Sequence, residues 1–250
     1  MAKSVKGRLS DRMLAVAAMA KSCGLFCYDK ADKPKIVDIG CDHAFISIFL
    51  IQEDIADKVY AVDINDGPLE IAKKNISDYG LGDSITVRKS NGFENIEKGE
   101  TDMAVIAGMG GYLIIDIIKN AKCLEKGYKL VLSPQSDIYE VRKYLTENGF
   151  RIVDEDMMKD AGKYYNIICA EYCGDIQETA DELNLLFGEI LMKKGNATLK
   201  EYLTGRIVSY EKIIDKMNKE AKGTAEDKKL RIEQELENFR FILDKYYQEG

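Results

Sequence analysis

The stretch KIVDIGCDHA, residues 35–44, joins a short apolar run to a glycine turn that carries two acids. The apolar run over 35–40 is typical of a buried strand, and the apolar segment 44–54 that follows is long enough for a helix. A glycine at the end of a strand lets the backbone turn sharply and approach a ligand closely. The stretch therefore predicts the first strand of an open α/β sheet, with a binding site at its carboxyl end.

Strands and helices continue to alternate on both sides of this turn. Further strands are predicted over 58–64, 84–90, 101–108 and 128–133, and further helices over 9–22, 69–80, 111–122 and 136–148. This alternation indicates βαβ units and a mostly parallel sheet. Two last strands, 150–157 and 164–173, have only a short link, which predicts an antiparallel hairpin at a sheet edge.

The sequence changes character after about residue 175, where the strand pattern ends. Two segments place apolar residues at heptad spacing: Leu203, Ile207, Tyr210, Ile214, Met217 and Ala221, then Ile232, Leu236, Phe239, Leu243 and Tyr246. Broken at Gly223, they predict an antiparallel helical coiled-coil hairpin, preceded by a helix over about 178–194 that ends at Gly195. We therefore predict two domains, 1–175 and 176–250. The hairpin is either a substrate- or partner-binding arm or a stabilising or dimerising element.

Composition limits the class of protein. The chain has 250 residues, of which 46% are apolar, and 36 bases against 43 acids give a net charge of −7. This charge excludes an obligately basic nucleic-acid coat protein, but it allows an enzyme with a local basic surface. Residues 1–35 hold 8 bases and 3 acids, a charge of +5, and 36–250 hold 28 bases and 40 acids, a charge of −12. The basic surface is therefore expected near the N-terminus.

A resident metal ion is not expected. His43 is the single histidine, and the pairs Cys23/Cys27 and Cys169/Cys173 lack the C-x2-C spacing of zinc sites. The cysteines are interpreted as small, reduced core residues. The N-terminus has no apolar signal segment, and no apolar run reaches the length of about 20 residues that spans a membrane. We therefore expect a cytoplasmic protein without membrane contact.

The turn also discriminates between cofactors. Asp63 follows the second strand 23 residues after Gly40, where an acid can accept both ribose hydroxyls of an adenine nucleoside. A dinucleotide loop requires G-x-G-x-x-G, whereas here Asp42 would repel a pyrophosphate, which disfavours a nicotinamide-dependent oxidoreductase. S-adenosylmethionine carries a sulfonium and an ammonium and fits an acidic loop. In the alternative interpretation, Asp38 and Asp42 only cap turns and helices.

Several stretches together resemble the bacterial tRNA (adenine-N1)-methyltransferases of the TrmK type, which methylate adenine 22 of tRNA. They are LSDRMLAVA, VDIGCDHAFISIFL, AVDINDGPLEIAKKN, VIAGMGGYLI, NGFRIVDEDM and GKYYNIICAE, spread over roughly 1–173. The resemblance implies a class I (Rossmann-like) methyltransferase fold with a seven-stranded, mostly parallel sheet and a C-terminal coiled-coil arm. It also implies S-adenosylmethionine as the cofactor and tRNA as the partner.

The strand ends and the resemblance together define a candidate site. The predicted cofactor-binding residues are Asp38, Gly40, Cys41, Asp63, Ile64, Asn91, Gly92, Gly108, Met109 and Gly110. The predicted substrate-binding residues are Arg8, Arg12, Gly111, Pro134 and Gln135. Two departures from the family are Asn91, where many members have Asp, and Ser133-Pro134-Gln135, where the family tends toward Q-P-N.

The chemistry assigns catalytic roles to Asp42 and His43. Enzymes that methylate an exocyclic amine commonly carry an Asn/Asp-Pro-Pro-aromatic motif after the fourth strand, and its absence favours attack by a ring nitrogen. Attack by N1 leaves the purine cationic, so we assign its stabilisation to Asp42, with His43 orienting the base or the cofactor carboxylate. Alternatively, His43 is structural, at the start of a helix. The nucleotide is expected to be extruded from the tRNA, with phosphates bound by Arg8 and Arg12.

Other functions fit the same sequence. They are a methyltransferase for another RNA, a protein or a small molecule, and a non-catalytic RNA-binding module that uses the helical arm. A monomer or a weak dimer is expected.

Overall fold

The computed structural model describes residues 4–25, 33–174, 180–219 and 226–247. The chain divides into two compact units, residues 1–180 and 181–250. The predicted boundary between 175 and 176 lies outside the described residues, as do Cys27 and the predicted helix break at Gly223. The roles predicted for the two domains, a binding site in the first and a helical arm in the second, stay predictions.

A single sheet of seven strands runs through the first unit in the order β3-β2-β1-β4-β5-β7-β6. The strands are β1 (Lys35–Ile39), β2 (Lys58–Asp63), β3 (Ile85–Lys89), β4 (Met103–Ala107), β5 (Lys129–Ser133), β6 (Phe150–Asp160) and β7 (Lys163–Tyr172). The first five strands pair in parallel, and β7 runs antiparallel between β5 and the edge strand β6. This topology confirms the predicted α/β fold and the hairpin at the edge.

Helices cover both faces of the sheet. They are α1 (Asp11–Leu25), α2 (Phe45–Gln52), α3 (Asp66–Asp78), α4 (Gly111–Lys119) and α5 (Ile138–Glu147), with a 3-10 turn over Lys6–Arg8. The buried residues of the first three helices pack on one face of the strands and those of α4 and α5 pack on the other. Because both faces are covered, the central strands are apolar over most of their length, with polar residues such as Asp38 near their ends, and this is the pattern that reveals them in the sequence.

Helix α1 is capped at its start and linked to the sheet near its end. The hydroxyl of Ser10 accepts a hydrogen bond from the backbone N–H of Met13 at 3.3 Å, so Ser10 is the N-cap of this helix. Near the other end, Cys23 is paired in a disulfide with Cys169 of β7, with the two Cα atoms 6.8 Å apart. Both cysteines are buried, as expected, but the prediction of reduced thiols differs from the pairing in the structure.

The second unit is entirely helical in its described residues. Its helices are α6 (Glu182–Phe187), α7 (Glu189–Lys193), α8 (Ala197–Lys219) and α9 (Glu226–Tyr246). The hydroxyl of Tyr247 donates to the carbonyl of Asn196, and the ring of Tyr210 lies 5.5 Å from that of Phe239, so the two long helices are antiparallel. The prediction of one helix over 178–194 is wrong, because the backbone leaves helical geometry at Gly188 (φ 84°, ψ 113°).

No helix within the described parts of the chain is both long enough and apolar enough to cross a bilayer.

Candidate active site

At the carboxyl ends of the neighbouring strands β1 and β4 the chain leaves the sheet toward opposite faces, and we call the region between these two ends the crevice. Such a switch point is where open α/β sheets bind ligands. Gly40 has a φ of +74°, and a Cβ built on it would lie 2.1 Å from Cε of Met109. A side chain at position 40 would therefore clash with Met109 and strain the backbone. The absence of a side chain at residue 40 leaves room for Met109 against the turn after β1.

Asp38 is the buried acid of this crevice. It lies next to the end of β1, and its carboxylate oxygen Oδ2 accepts a hydrogen bond from the hydroxyl of Ser47 at 2.6 Å. Burial raises the pKa of Asp38 to about 6; the hydrogen bonds from Ser47 oppose this rise and the charge of Asp63 adds to it. Since Ser47 lies in the first turn of α2, this hydrogen bond joins β1 to the start of the helix.

Asp42 and His43 form the exposed rim of the same turn. Their side chains are 68% and 42% exposed, and His43 Nε2 lies 3.5 Å from Asp42 Oδ2. Asp42 adopts a φ of 49° and Ala44 a φ of 58°, a conformation that is uncommon for residues with a side chain. The carbonyl of His43 accepts a hydrogen bond from Asn75 Nδ2 at 2.9 Å, which holds the turn in place.

Cys41 lies beneath this rim. Its side chain is buried, and burial, followed by the charges of Asp38, Asp63 and Asp42, raises the pKa of its thiol. The thiol therefore stays neutral, and it fits a packing role better than a nucleophilic one.

In the part of the chain that the structure describes, no group of three or more metal-ligating side chains is gathered at one place.

Asp63 and the segment after β3 form the side of the crevice expected to hold a nucleoside. Asp63 Oδ1 accepts a hydrogen bond from the backbone N–H of Asn65 at 2.9 Å, which orients the carboxylate. Ile64 and Asn91 are exposed beside it. Gly92 is buried, and a Cβ on it would lie 2.9 Å from Cγ2 of Ile117, so its small size serves packing against α4.

The turn after β4 brings two predicted substrate-binding residues together. Gly108 has a φ of +84°, and the position of a Cβ on it is 3.8 Å from Arg12 Nη2 and 4.0 Å from Gln135 Nε2. The backbone N–H of Gln135 donates to the carbonyl of Met109 at 2.9 Å, which joins the turns after β4 and β5. The guanidinium of Arg12 lies 5.0 Å from the ring centre of Tyr165 in β7.

The remaining predicted residues differ in their exposure. Arg8 is exposed, and its guanidinium lies 4.9 Å from the ring centre of Phe45, which is 5.8 Å from the ring of His43. Gly110 has the hydroxyl of Ser136 3.2 Å from its Cβ position. Gly111 and Pro134 are buried, so their predicted contact with a substrate is not evident from their placement.

Sequence reasoning missed four residues of the site: Ser47, Phe45, Asn75 and Tyr165. A signal existed for Ser47, because it is the one polar residue within the apolar run 45–51. The contacts of Tyr165 and Asn75 join residues far apart in the chain, and a single sequence carries no local sign of them.

The crevice combines three acids from two neighbouring strand ends with glycine turns that allow close backbone approach. The three carboxylates accept hydrogen bonds and carry negative charge, so they fit a cationic cofactor that has a ribose and no phosphate. With this strand order, fold and site define a class I S-adenosylmethionine-dependent methyltransferase.

The family model described as tRNA (adenine(22)-N(1))-methyltransferase, TrmK, matches residues 36–240. The chain belongs to the TrmK family. It is 31% identical over 215 residues to the tRNA (adenine(22)-N(1))-methyltransferase of Bacillus subtilis (strain 168), an alignment that covers 84% of this chain and 90% of the relative.

Solved structures agree with this assignment. The crystal structure of the B. subtilis m1A22 tRNA methyltransferase TrmK matches with a TM-score of 0.76 and 28% identity, covering 94% of this chain and 99% of that chain. M. capricolum TrmK, solved in complex with S-adenosylhomocysteine, matches with a TM-score of 0.75 and 26% identity, covering 95% and 99% of the two chains.

Proposed function

We propose that this protein transfers the methyl group of S-adenosylmethionine to N1 of adenine 22 in tRNA. Membership of the TrmK family supports the reaction and the substrate. One observation carries the proposal: the acidic crevice, which would repel a phosphate, adjoins the turn at Gly108, and the side chains of Arg12 and Gln135 both approach this turn.

The cofactor supplies a methyl group bonded to a positively charged sulfur. We assign the ribose hydroxyls to the carboxylate of Asp63, which the backbone of Asn65 already orients. Asp38 holds a negative charge near the turn at Gly40, where it favours a cationic ligand. Ile64 and Asn91 are assigned to the adenine end of the cofactor, on the exposed side of the same crevice.

We assign to Asp42 the stabilisation of the positive charge that N1 attack places on the purine. Its carboxylate is exposed at the rim, and the neighbouring imidazole of His43 limits its orientation. Because N1 has a lone pair and no proton, no base is needed before attack. A preorganised carboxylate acts on charge that develops in the transition state and therefore affects turnover more than binding.

RNA is favoured over a small-molecule substrate by the cations at the rim. Arg8 lies over Phe45 and Arg12 over Tyr165, both beside the crevice, where they can neutralise phosphates. We further propose that the enzyme acts in the cytoplasm as a monomer or weak dimer, which sedimentation measurements at increasing concentration test. The helical second unit remains assigned either to substrate binding or to stabilisation.

Methylation of an unmodified tRNA transcript tests the function directly. We expect N1-methyladenosine by nucleoside mass spectrometry after incubation with S-adenosylmethionine, and its loss from a matched transcript with another base at position 22. Absence of the modified nucleoside, or equal formation on both transcripts, contradicts the proposal.

Asp42→Asn tests the assigned catalytic carboxylate. We expect kcat to fall by about 10²-fold while the affinity for S-adenosylhomocysteine changes little, because the charge is used mainly in the transition state. Asp54→Asn is the matched control, since Asp54 is also an exposed aspartate with positive φ (61°) and follows the opposite end of α2. Near-normal turnover of Asp42→Asn would remove the assignment.

A further inference from the structure

Four residues next to the methyl-transfer crevice form a cluster, and three of them, Arg12, Gln135 and Tyr165, have no assigned contact with the cofactor. This Gly108 cluster consists of Gly108, Arg12, Gln135 and Tyr165. Arg12 Nη2 and Gln135 Nε2 lie 3.8 and 4.0 Å from the Cβ position on Gly108, and Arg12 covers the ring of Tyr165 at 5.0 Å. The four residues come from the turns after β4 and β5, from helix α1 and from strand β7.

The strand register explains why the cluster forms. Leu132 of β5 pairs with Ile168 of β7 in antiparallel register. Gln135 lies three residues after Leu132, and Tyr165 lies three residues before Ile168, so both are beyond the same end of this strand pair. The backbone hydrogen bond from Gln135 to Met109 holds the amide-bearing turn beside the β4 turn.

A buried hydroxyl lies at the same end of β5. Ser133 is 0% exposed, and among the described residues its hydroxyl is one of two buried side-chain polar atoms that make no hydrogen bond. Ser133 lies two residues after Val131, which packs in the core on the α1 side of the sheet, so its side chain shares that face. Ser133 directly precedes Pro134 and Gln135, so a buried hydroxyl with unused hydrogen-bonding capacity adjoins the Gly108 cluster.

The side chains of the Gly108 cluster match the chemistry of an adenine. A carboxamide can accept a hydrogen bond from the N6 amino group of adenine and donate one to N7. This pairing leaves N1 free, which the reaction requires because the lone pair of N1 is the nucleophile. The ring face of Tyr165 already holds a planar cation, the guanidinium of Arg12, and N1-methylated adenine is also a planar cation.

We propose that the Gly108 cluster is the pocket for the target adenine, with Gln135 reading the N6–N7 edge and Tyr165 stacking on the ring. When the tRNA binds, the guanidinium of Arg12 leaves the ring of Tyr165, which then stacks on the base, and contacts a backbone phosphate of the tRNA. Guanine presents two acceptors at this edge, O6 and N7, so the same carboxamide cannot satisfy both. The inference rests on the proposed function and adds the means by which adenine is selected.

The test is a comparison of two tRNAs that differ in one ring atom of the target base. One carries adenine and the other carries 7-deazaadenine, which has a C–H group in place of N7. Methylation is measured with wild type, Gln135→Leu and Gln135→Glu, with circular dichroism and S-adenosylhomocysteine binding as folding controls. The ratio of kcat/KM for the two tRNAs with Gln135→Leu corrects for any intrinsic effect of the ring change.

We expect the ratio of kcat/KM for the adenine tRNA to that for the 7-deazaadenine tRNA to be about tenfold higher in wild type than in Gln135→Leu. The reason is that the amide N–H of Gln135 loses its acceptor, N7, in the 7-deazaadenine tRNA. Gln135→Glu is expected to reverse the preference, because a carboxylate repels the N7 lone pair and still accepts from N6. Equal relative ratios in wild type and Gln135→Leu overturn the inference. Methylation of neither tRNA by wild type overturns the proposed function itself, and the inference with it.

The stacking role is measured separately. Tyr165→Phe keeps the ring and is expected to retain activity, whereas Tyr165→Leu is expected to raise KM for tRNA and lower kcat by about tenfold each, with unchanged affinity for S-adenosylhomocysteine. Equal activities of the two variants would contradict stacking.

Discussion

At the scale of single residues, Asp38 combines a structural cost with a binding role. Its carboxyl is buried, and its pKa of about 6 in the folded protein lies above the ordinary value of 3.8, mainly because of burial. Its contribution to stability is therefore fully present below pH 3.8 and is lost as the pH rises through about 6. At neutral pH the ionised form destabilises the unliganded protein and attracts a cationic cofactor.

Asp38→Asn separates these two effects. We expect the unliganded variant to be more stable than wild type at pH 7.5 by about 2–3 kcal/mol, because the amide still accepts from Ser47 and buries no charge. We also expect weaker binding of S-adenosylmethionine. Urea unfolding and calorimetric titration measure the two quantities; a less stable variant with unchanged cofactor affinity would contradict both expectations.

At the scale of elements, a buried ion pair connects α5 to the β6–β7 hairpin. Arg142 Nε lies 2.8 Å from Glu155 Oε1, with side chains 2% and 1% exposed, and Arg142 Nη2 donates to Asn166 Oδ1 at 3.1 Å. Asn166 follows Tyr165 in β7. The pair therefore holds the strand that carries one wall of the proposed adenine pocket.

Removing one member of this pair should be far more costly than removing both. We expect Arg142→Met to lower the free energy of unfolding by about 3–5 kcal/mol, because Glu155 is left buried without its cation. Adding Glu155→Leu should recover most of the loss. Denaturant titrations measure both variants.

The exposed Arg151, which pairs with Glu171 at 2.7 Å, supplies the control. Arg151→Met is expected to cost less than about 1 kcal/mol. If Arg142→Met were no more destabilising than this control, the buried pair would not anchor the hairpin.

At the scale of the whole molecule, the distribution of charge matters more than the total. The net charge is −7, but residues 1–35 carry +5, from 8 bases less 3 acids. Two of these bases, Arg8 and Arg12, lie at the edge of the crevice. Three acids, Asp38, Asp42 and Asp63, lie at or next to the carboxyl ends of β1 and β2. Attraction for phosphate is therefore confined to a limited patch.

A limited patch predicts a shallow dependence of tRNA affinity on salt. We expect a small slope of log K against log[salt], and Arg8→Gln should reduce its magnitude by about one. Arg151→Gln, which removes an exposed arginine at the start of β6, should leave the slope unchanged. An unchanged slope for Arg8→Gln would exclude a phosphate contact there, and a steep slope in wild type would mean that further surfaces bind RNA.

The order and type of the elements in the first unit were predictable because their causes are local. Each central strand is a short, mostly apolar run that ends in a turn, and helices α2 to α5 each lie between two strands. Local patterns define the ends of elements less well. The helix predicted over 69–80 begins at Asp66 and ends at Asp78, and the single helix predicted over 178–194 is divided at Gly188.

The acids of the cofactor crevice could also be predicted from the sequence, because Asp38, Asp42 and Asp63 lie at the ends of two predicted strands. Parallel strands bring their carboxyl ends to one edge of the sheet. The substrate side was different. The contacts of Arg12 with Tyr165, of Met109 with Gly40 and of Arg142 with Glu155 join segments far apart in the chain. Strand order, register and helix packing create those contacts, and they are properties of the folded molecule that no local pattern of residues encodes.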